Sequence, residues 1–482
     1  MTNGRAVPHR NGPDMREQRS VYAFKEFGSM KKIGWALAVG LSIAQPSWAA
    51  ENIQPSAQVV ESDEAIIQTL YRNSYTYWQM VRNDNGSYND LYPLDGKSKV
   101  GSIANSGMGL VALTIGHING WEPEAEKLVI KSLKVLTGKD PDFSVPRNDN
   151  NTYIHFYNVE TGKAIGDDWS PIDSAIMLSG ALFAKRYFHN NQEIADLVDE
   201  LYETTDLRSF IADYRTGHIY LAAHKDGSFK RHKTKVFNEY MIVADLARQQ
   251  EEDFGNMGSD AIRFWDTWYD TLKYTPISYY GKIPVLSAGR SRFISMFNFQ
   301  FNNYLVHHFS DSQMYQKATR YAAMADFQWW QDQGIESRET YEWGSGAGAC
   351  STGYCVDRIA LPGDKDLNLE KIASPHIVSG FLPHLERART DLIAMYRDPD
   401  KRAHYQLKDG STILWRYSTT NPEWRADNIQ AVDYSTMLFG LAALPENLGM
   451  EFFNTFNDYF NPEPADYRKP LPTISETTTA AR

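Results

Sequence analysis

The sequence predicts an all-α protein, an (α/α)6 toroid with short β-hairpins at one rim. Three observations carry this expectation. About a dozen segments between Ser62 and Phe460 repeat apolar residues at helical spacing, most of them 14 to 20 residues long. Short strand-and-turn signals fall between some of these segments. Strand and helix nowhere alternate in the βαβ order of a parallel sheet, and no Pro/Gly/Ser linker divides the middle of the chain.

Ile66, Leu70, Tyr71, Tyr75, Trp78 and Val81 mark the first helix. Met108, Leu110, Val111 and Ile115 mark the second, and Leu128, Val129, Leu133 and Val135 the third. Helical patterns follow over 171–189, 192–205, 236–250, 258–273, 294–309, 313–334, 383–397 and 430–444, with a last one near 446–460. Asn119-Gly120, Asp140-Pro141-Asp142 and Asp398-Pro399-Asp400 are turn clusters between them. Tyr153 to Tyr157, followed by Glu160-Thr161-Gly162-Lys163, reads as a strand and turn. His218 to Leu221, then Lys225 to Ser228, reads as a hairpin. Residues 62–461 thus make one domain after a linker over 50–61, and the Pro/Thr/Ala-rich composition of 462–482 predicts a disordered tail.

Ahead of the domain, Met30-Lys31-Lys32, the apolar run Ile33 to Ala44 and the stretch Gln45 to Ala49 make the three parts of a secretory signal peptide. The apolar run is too short to anchor the chain in a bilayer. Translation is expected to start at Met30, residues 1–29 being an upstream extension, and the protein is expected to be periplasmic or secreted. The 482 residues are 42% apolar and 13% aromatic, ample for a full core, and carry a formal charge of -11. Residues 1–49 hold seven Lys+Arg and three Asp+Glu, so the chain from Ala50 stands at -15. That acidity disfavours nucleic acid and a polybasic membrane patch. No second apolar run reaches ~18 residues, so no stable membrane insertion is expected, and a monomer is. Cys350 and Cys355 bracket Ser351-Thr352-Gly353-Tyr354, close enough to form a small disulfide in an oxidising compartment. Two free buried thiols are the alternative.

Candidate chemistry begins at Gly166-Asp167-Asp168-Trp169-Ser170-Pro171-Ile172-Asp173, which leads into an apolar helix. Carboxylates beside a Trp suit acid/base work on a sugar. Ser170, Pro171 and Asp173 also make a capping box, which explains the same residues structurally. Glu239 stands alone in the apolar run Phe237 to Val243. Buried there its pKa would rise, as a general acid requires, whereas exposed near a helix N-terminus it would simply meet the dipole. Glu342-Trp343-Gly344 and the loop to Cys355 form a flexible segment between aromatic residues, and Trp424 to Asp427 with Asp433 adds a second cluster. Arg425 and Asp427 read first as a surface pair. Metal-binding His motifs, the nucleophile elbow and dinucleotide fingerprints do not occur, so neither a metal nor a cofactor is expected.

In order along the chain, several segments resemble the bacterial glucoamylase-like family related to the β-1,2-glucanases of glycoside hydrolase family 144. They are Gly101 to Leu110, Ile115 to Trp121, Tyr153 to Phe156, Thr161-Gly162-Lys163 and Ser170 to Ala175, then Glu203 to Asp206, Thr216 to Tyr220 and Asn238-Glu239-Tyr240. Glu342-Trp343-Gly344, Gly353-Tyr354, Ala373-Ser374-Pro375 and Arg425 to Asp433 continue the series, so the likeness spans roughly residues 62–445. It departs at Phe297 to Tyr304, which keeps a Gln but lacks the family's His residues, and at Gln430 to Tyr434, where Ile-Asp-Gln-Gly is usual.

The resemblance implies an (α/α)6 barrel that hydrolyses a glucan without metal or cofactor, with Asp173 and Glu239 matching acidic pocket residues and Asp168 a further candidate. The expected activity is cleavage of a β-glucan or its oligosaccharides, β-1,2-glucan first. Glu239 would be the general acid and Asp173 or Asp168 the group activating water, with inversion at about 6.5–9.5 Å separation. Trp169, Tyr240, Trp343 and Tyr354 would stack on sugar rings, and His155, Arg425 and Asp433 would complete substrate binding. A polysaccharide lyase on the same toroid and a non-catalytic glycan-binding protein are the alternatives.

Overall fold

Helix α1 (Asp63–Val81) starts where Ser62 Oγ accepts the Ala65 N–H at 3.1 Å and Asp63 and Glu64 meet the positive end of the helix dipole. The computed structural model describes residues 61–470 apart from 94, 95, 97, 236, 290, 291, 337, 361–369 and 464. The expected signal peptide and upstream extension lie outside the described residues. Thirteen further α-helices follow among those described: α2 (Ile103–Ile118), α3 (Ala125–Thr137), α4 (Pro171–Tyr187), α5 (Gln192–Thr204), α6 (Met241–Phe254), α7 (Ala261–Trp268), α8 (Phe297–Leu305), α9 (His307–Asp311), α10 (Gln313–Gln331), α11 (Pro375–Gly380), α12 (Arg387–Arg397), α13 (Ala431–Ala442) and α14 (Gly449–Asn457).

Two kinds of helix alternate. α1, α3, α5, α7, α10 and α12 bury one face. α2, α4, α8, α11 and α13 are buried on nearly every side, and α6 over its first two turns. The buried helices pack in sequence, α2 on α4, then α6, α8, α11 and α13, and α13 packs back on α2. Each one-faced helix covers a buried neighbour, α3 on α2, α5 on α4, α7 on α6, α10 on α8, α12 on α11 and α1 on α13. Boundaries depart from expectation in both sets: α7 starts three residues later and ends five earlier than 258–273, whereas α4 and α13 fall within two residues of 171–189 and 430–444. The helix expected over 236–250 begins only at Met241, and that over 294–309 is broken at Val306 into α8 and α9.

Seven small antiparallel sheets join the helices among the described residues, none wider than three strands. Ile154–Asn158 pairs with Val100–Ser102 on one side and Ala164–Trp169 on the other, so the Asp167-Asp168 stretch is a strand. The segment read as a flexible loop after Gly344 is a hairpin, Ala347–Cys350 against Gly353–Val356, and Cys350 and Cys355 are disulfide-bonded. Within the segment of disorder-prone composition, Tyr467 packs on Phe452 and Phe456 and donates to the Leu448 carbonyl at 2.7 Å.

The buried helices approach closely where side chains are missing. A Cβ at Gly107 would fall on the Ile176 carbonyl, and one at Gly180 on the Gly107 carbonyl, so α2 and α4 touch through facing glycines. Gly180→Val should therefore cost about 3 kcal/mol through overpacking. A lowered urea midpoint at unchanged slope, followed by circular dichroism, is the expected reading.

Candidate active site

Each of the six mutually packed helices places a polar residue in or just before its first turn: Asn105, Asp173, Glu239, Asn298, His376 and Asp433. Five are buried and Glu239 is partly open. Helix starts carry unsatisfied N–H groups and a positive dipole end, so acceptors and anions are stabilised there.

Asp173 combines both readings of its motif. Its N–H donates to the capping Ser170 Oγ at 3.2 Å, while its carboxylate Oδ2 meets His155 Nδ1 at 2.5 Å. His155 extends from the neighbouring strand, Ile154–Asn158. Burial alone would lower its pKa, but the charge and hydrogen bond of Asp173, with the charges of Asp90 and Asp168, outweigh that and raise it.

Glu239 lies two residues ahead of α6. Its backbone N–H donates to Asn298 Oδ1 at 2.9 Å, and Asn298 is itself tied to the Ser295 carbonyl. Burial pushes its carboxyl up to about 7; its own backbone N–H opposes the rise and the charge of Asp173 adds to it.

Asp433, in the first turn of α13, accepts the Tyr354 hydroxyl at 3.1 Å from the disulfide-bonded hairpin. Burial raises it to about 7, against the Tyr354 hydrogen bond and the nearby Arg416. Arg416 is fully buried and bonded to Asp357. Asp90 links the two halves: burial pushes it to about 6, and it feels both His155 and Asp173 while raising Asp433. Sequence reasoning missed Asp90. The signal available was its place between buried Tyr88 and Tyr92 at alternating positions of an extended stretch, which turns all three to one side.

Glu239, Asp173, His155, Tyr354 and Asp433 are therefore brought together, and other expected residues are not. Asp168 is half-exposed at the rim and paired with Lys230 at 2.6 Å. Three of the four expected stacking rings lie in packed interior with no free face: Trp169 donates to Asp167 at 3.0 Å, Trp343 donates to Asp391 at 2.7 Å against Phe381, and the Tyr240 hydroxyl holds the Leu221 carbonyl at 3.0 Å. A large ring in an apolar chain is most cheaply buried, and that is what happens here. Arg425 bonds the His404 carbonyl and lies over the Tyr405 ring at 4.5 Å, away from Asp433, and Asp427 accepts from Asn428 instead.

A carboxyl raised in the folded state favours folding below its unfolded pKa, and that advantage is lost as pH rises through the folded value. For Asp433, moved from 3.8 to about 7, the loss amounts to about 4 kcal/mol. Asp433→Asn should therefore melt higher than wild type at pH 8 and show a smaller fall in Tm between pH 5 and 8. Scanning calorimetry across that window checks it.

No family model matches the sequence, and no curated protein does. Solved structures do. A candidate glucoamylase from Bacteroides caccae superposes with a TM-score of 0.67 at 17% identity, over 83% of this chain and 98% of that one. An endo-β-1,2-glucanase from Chitinophaga pinensis, in complex with sophorotriose and glucose, gives 0.67 at 17% identity over 83% and 97%. An endo-β-1,2-glucanase from Talaromyces funiculosus, a mutant in complex with β-1,2-glucan, gives 0.55 at 12% over 86% and 96%. The resemblance read from the ordered motifs is thus met by a likeness of structure, and the chain shares its fold with endo-β-1,2-glucanases.

Proposed function

We propose that this chain is an exported glycoside hydrolase of (α/α)6 toroid architecture acting on a β-glucan, β-1,2-glucan first. The observation that carries the reading is Glu239, a carboxyl held near neutrality at a helix start, in a wall that also holds Asp173, Asp90 and Asp433. A group with a pKa of about 7 is protonated often enough at neutral pH to donate and basic enough to be reprotonated, which suits the general acid of glycoside cleavage. The closed packing order of six buried helices supports the toroid, and the Cys350–Cys355 disulfide supports an oxidising, periplasmic or extracellular setting.

For activating water, Asp433 is favoured over the two carboxylates expected from sequence. Asp173 is taken up by its hydrogen bond to His155, and Asp168 is paired at the rim with Lys230. Asp433, near 7 and held by one phenol, exchanges a proton readily at neutral pH. In this scheme Glu239 protonates the leaving oxygen while Asp433 takes a proton from water attacking the opposite face, and the anomeric centre inverts. The lyase alternative needs a cation free to neutralise a uronate beside the base, and Arg416, which acts on Asp433, is already held by Asp357.

Glu239→Gln should lower kcat on β-1,2-glucan about 10²–10⁴-fold with the fold retained, and full turnover would refute the assignment. Proton NMR of the first product should show the α-anomer. Tyr354→Phe removes a hydrogen bond that lowers the Asp433 pKa, so the acidic limb of kcat/KM should move up by about one pH unit. Activity at pH 6 should fall more than activity at pH 8.

A further inference from the structure

An acidic chain carries one strongly basic segment. The twelve residues His224 to Lys235 hold five Lys and Arg, with Asp226 as the one acid. They form the turn and last strand, Lys233–Lys235, of a three-stranded sheet with Ile211–Asp213 and His218–Tyr220.

This hairpin is tied to the candidate site from several sides. Ala223 and Trp169 exchange backbone hydrogen bonds, 2.8 Å from the Ala223 N–H and 3.3 Å from that of Trp169. Lys230 Nζ meets Asp168 at 2.6 Å and Asp167 at 4.0 Å, and His224 meets Asp167 at 2.8 Å. The strand then runs within four residues into Glu239, with Asn238 donating to Thr234 Oγ1 and Tyr240 to the Leu221 carbonyl. The hairpin therefore packs on the strand of Asp167, Asp168 and Trp169 and leads along the chain into Glu239.

Lys230 is neutralised by these acids, but its neighbours are not. Lys225 and Arg231 are exposed and meet no carboxylate among the described residues, and the Lys233 ammonium lies 4.5 Å above the Tyr220 ring, also without an acid. Other exposed lysines without a carboxylate among the described residues, such as Lys163, Lys282 and Lys317, stand singly, whereas these three cations fall within nine residues. Concentrated unpaired charge of one sign repels itself, and a neutral sugar offers nothing to offset that. An anion does, and gains most at a guanidinium.

We propose that the 224–235 hairpin is a subsite for anionic groups on the substrate, so that the chain cleaved is a β-glucan bearing carboxylate or phosphodiester substituents. The inference rests on the glucan reading above and adds the charge of the substrate to it. Isothermal titration calorimetry on the full exported chain compares β-1,2-glucan with the same glucan partly succinylated to half-ester carboxylates. At 20 mM NaCl the succinylated glucan should bind at least tenfold more tightly. The ratio should shrink at 200 mM NaCl and collapse to about one in the Arg231→Gln/Lys233→Gln double variant, whose melting temperature confirms folding. Equal affinity for the two glucans, with hydrolysis intact, overturns the anionic subsite and leaves the glucan reading standing. Failure to bind either overturns both. Retention on phosphatidylglycerol vesicles at 200 mM NaCl, lost in the double variant, assigns the cations to a membrane surface and likewise overturns the proposal.

Discussion

Five helices buried on nearly every side, and a sixth over its first two turns, cannot leave their ends unsatisfied, and the rest of the structure follows from that. Packing them in sequence requires backbone contact at places such as Gly107 and Gly180, which draws their first turns together. Each first turn leaves N–H groups that bulk water reaches poorly, so each carries a polar residue. Where that residue is an acid, two effects compete. The helix start favours the anion, by up to about 2 kcal/mol in partly buried geometries, while desolvation disfavours it more strongly. Desolvation wins at Glu239 and Asp433, which both rise to about 7, and it also raises Asp90, which lies outside the helix starts, to about 6. Asp173 is met by His155 Nδ1 at 2.5 Å. Protonation states suited to acid/base work thus arise from the same burial that holds the helices together.

What could be read from the chain beforehand follows this division. Helices with one wet face announce themselves by period, and α1, α3 and α5 lie where Ile66 to Val81, Leu128 to Val135 and the pattern over 192–205 put them. Helices without a wet face give a weaker periodic signal: the six-residue α11 passes unseen behind Ser374-Pro375, although α4 and α13 still fall within two residues of expectation. Among candidate site residues, Ser170 and Pro171 mark the helix start that carries Asp173, and Glu239 stands out as a lone acid in an apolar run. Trp169 and Trp343 are buried, which their places beside carboxylates in the sequence do not reveal. Asp90 lacked any motif, since its role depends on strands and helices that meet only in three dimensions.

The hairpin carrying Tyr354 shows how one hydrogen bond at the wall is kept in place. Two strands of four residues do not hold their geometry alone in water. Cys350 and Cys355 close a loop of six residues, and on the chain-entropy account such a closure is worth about 2 kcal/mol. Gln430 adds a second tie, its side-chain carbonyl accepting the Ala349 N–H at 2.8 Å. The phenol therefore meets Asp433 from a braced support.

Charge is arranged in two tiers, and the tiers do different things. Inside, acids at helix starts stand close enough to shift one another, and Asp90 passes the influence from Asp173 to Asp433. At the rim, Asp167 and Asp168 are matched by Lys230 and His224, which leaves Lys225, Arg231 and Lys233 as surplus positive charge on the hairpin leading to Glu239. Those cations are exposed, so salt screens them over about 8–10 Å and they barely touch the buried titrations. Their reach suits an approaching chain instead. On the proposed reading, substrate charge would be met by these cations, away from the buried carboxyls.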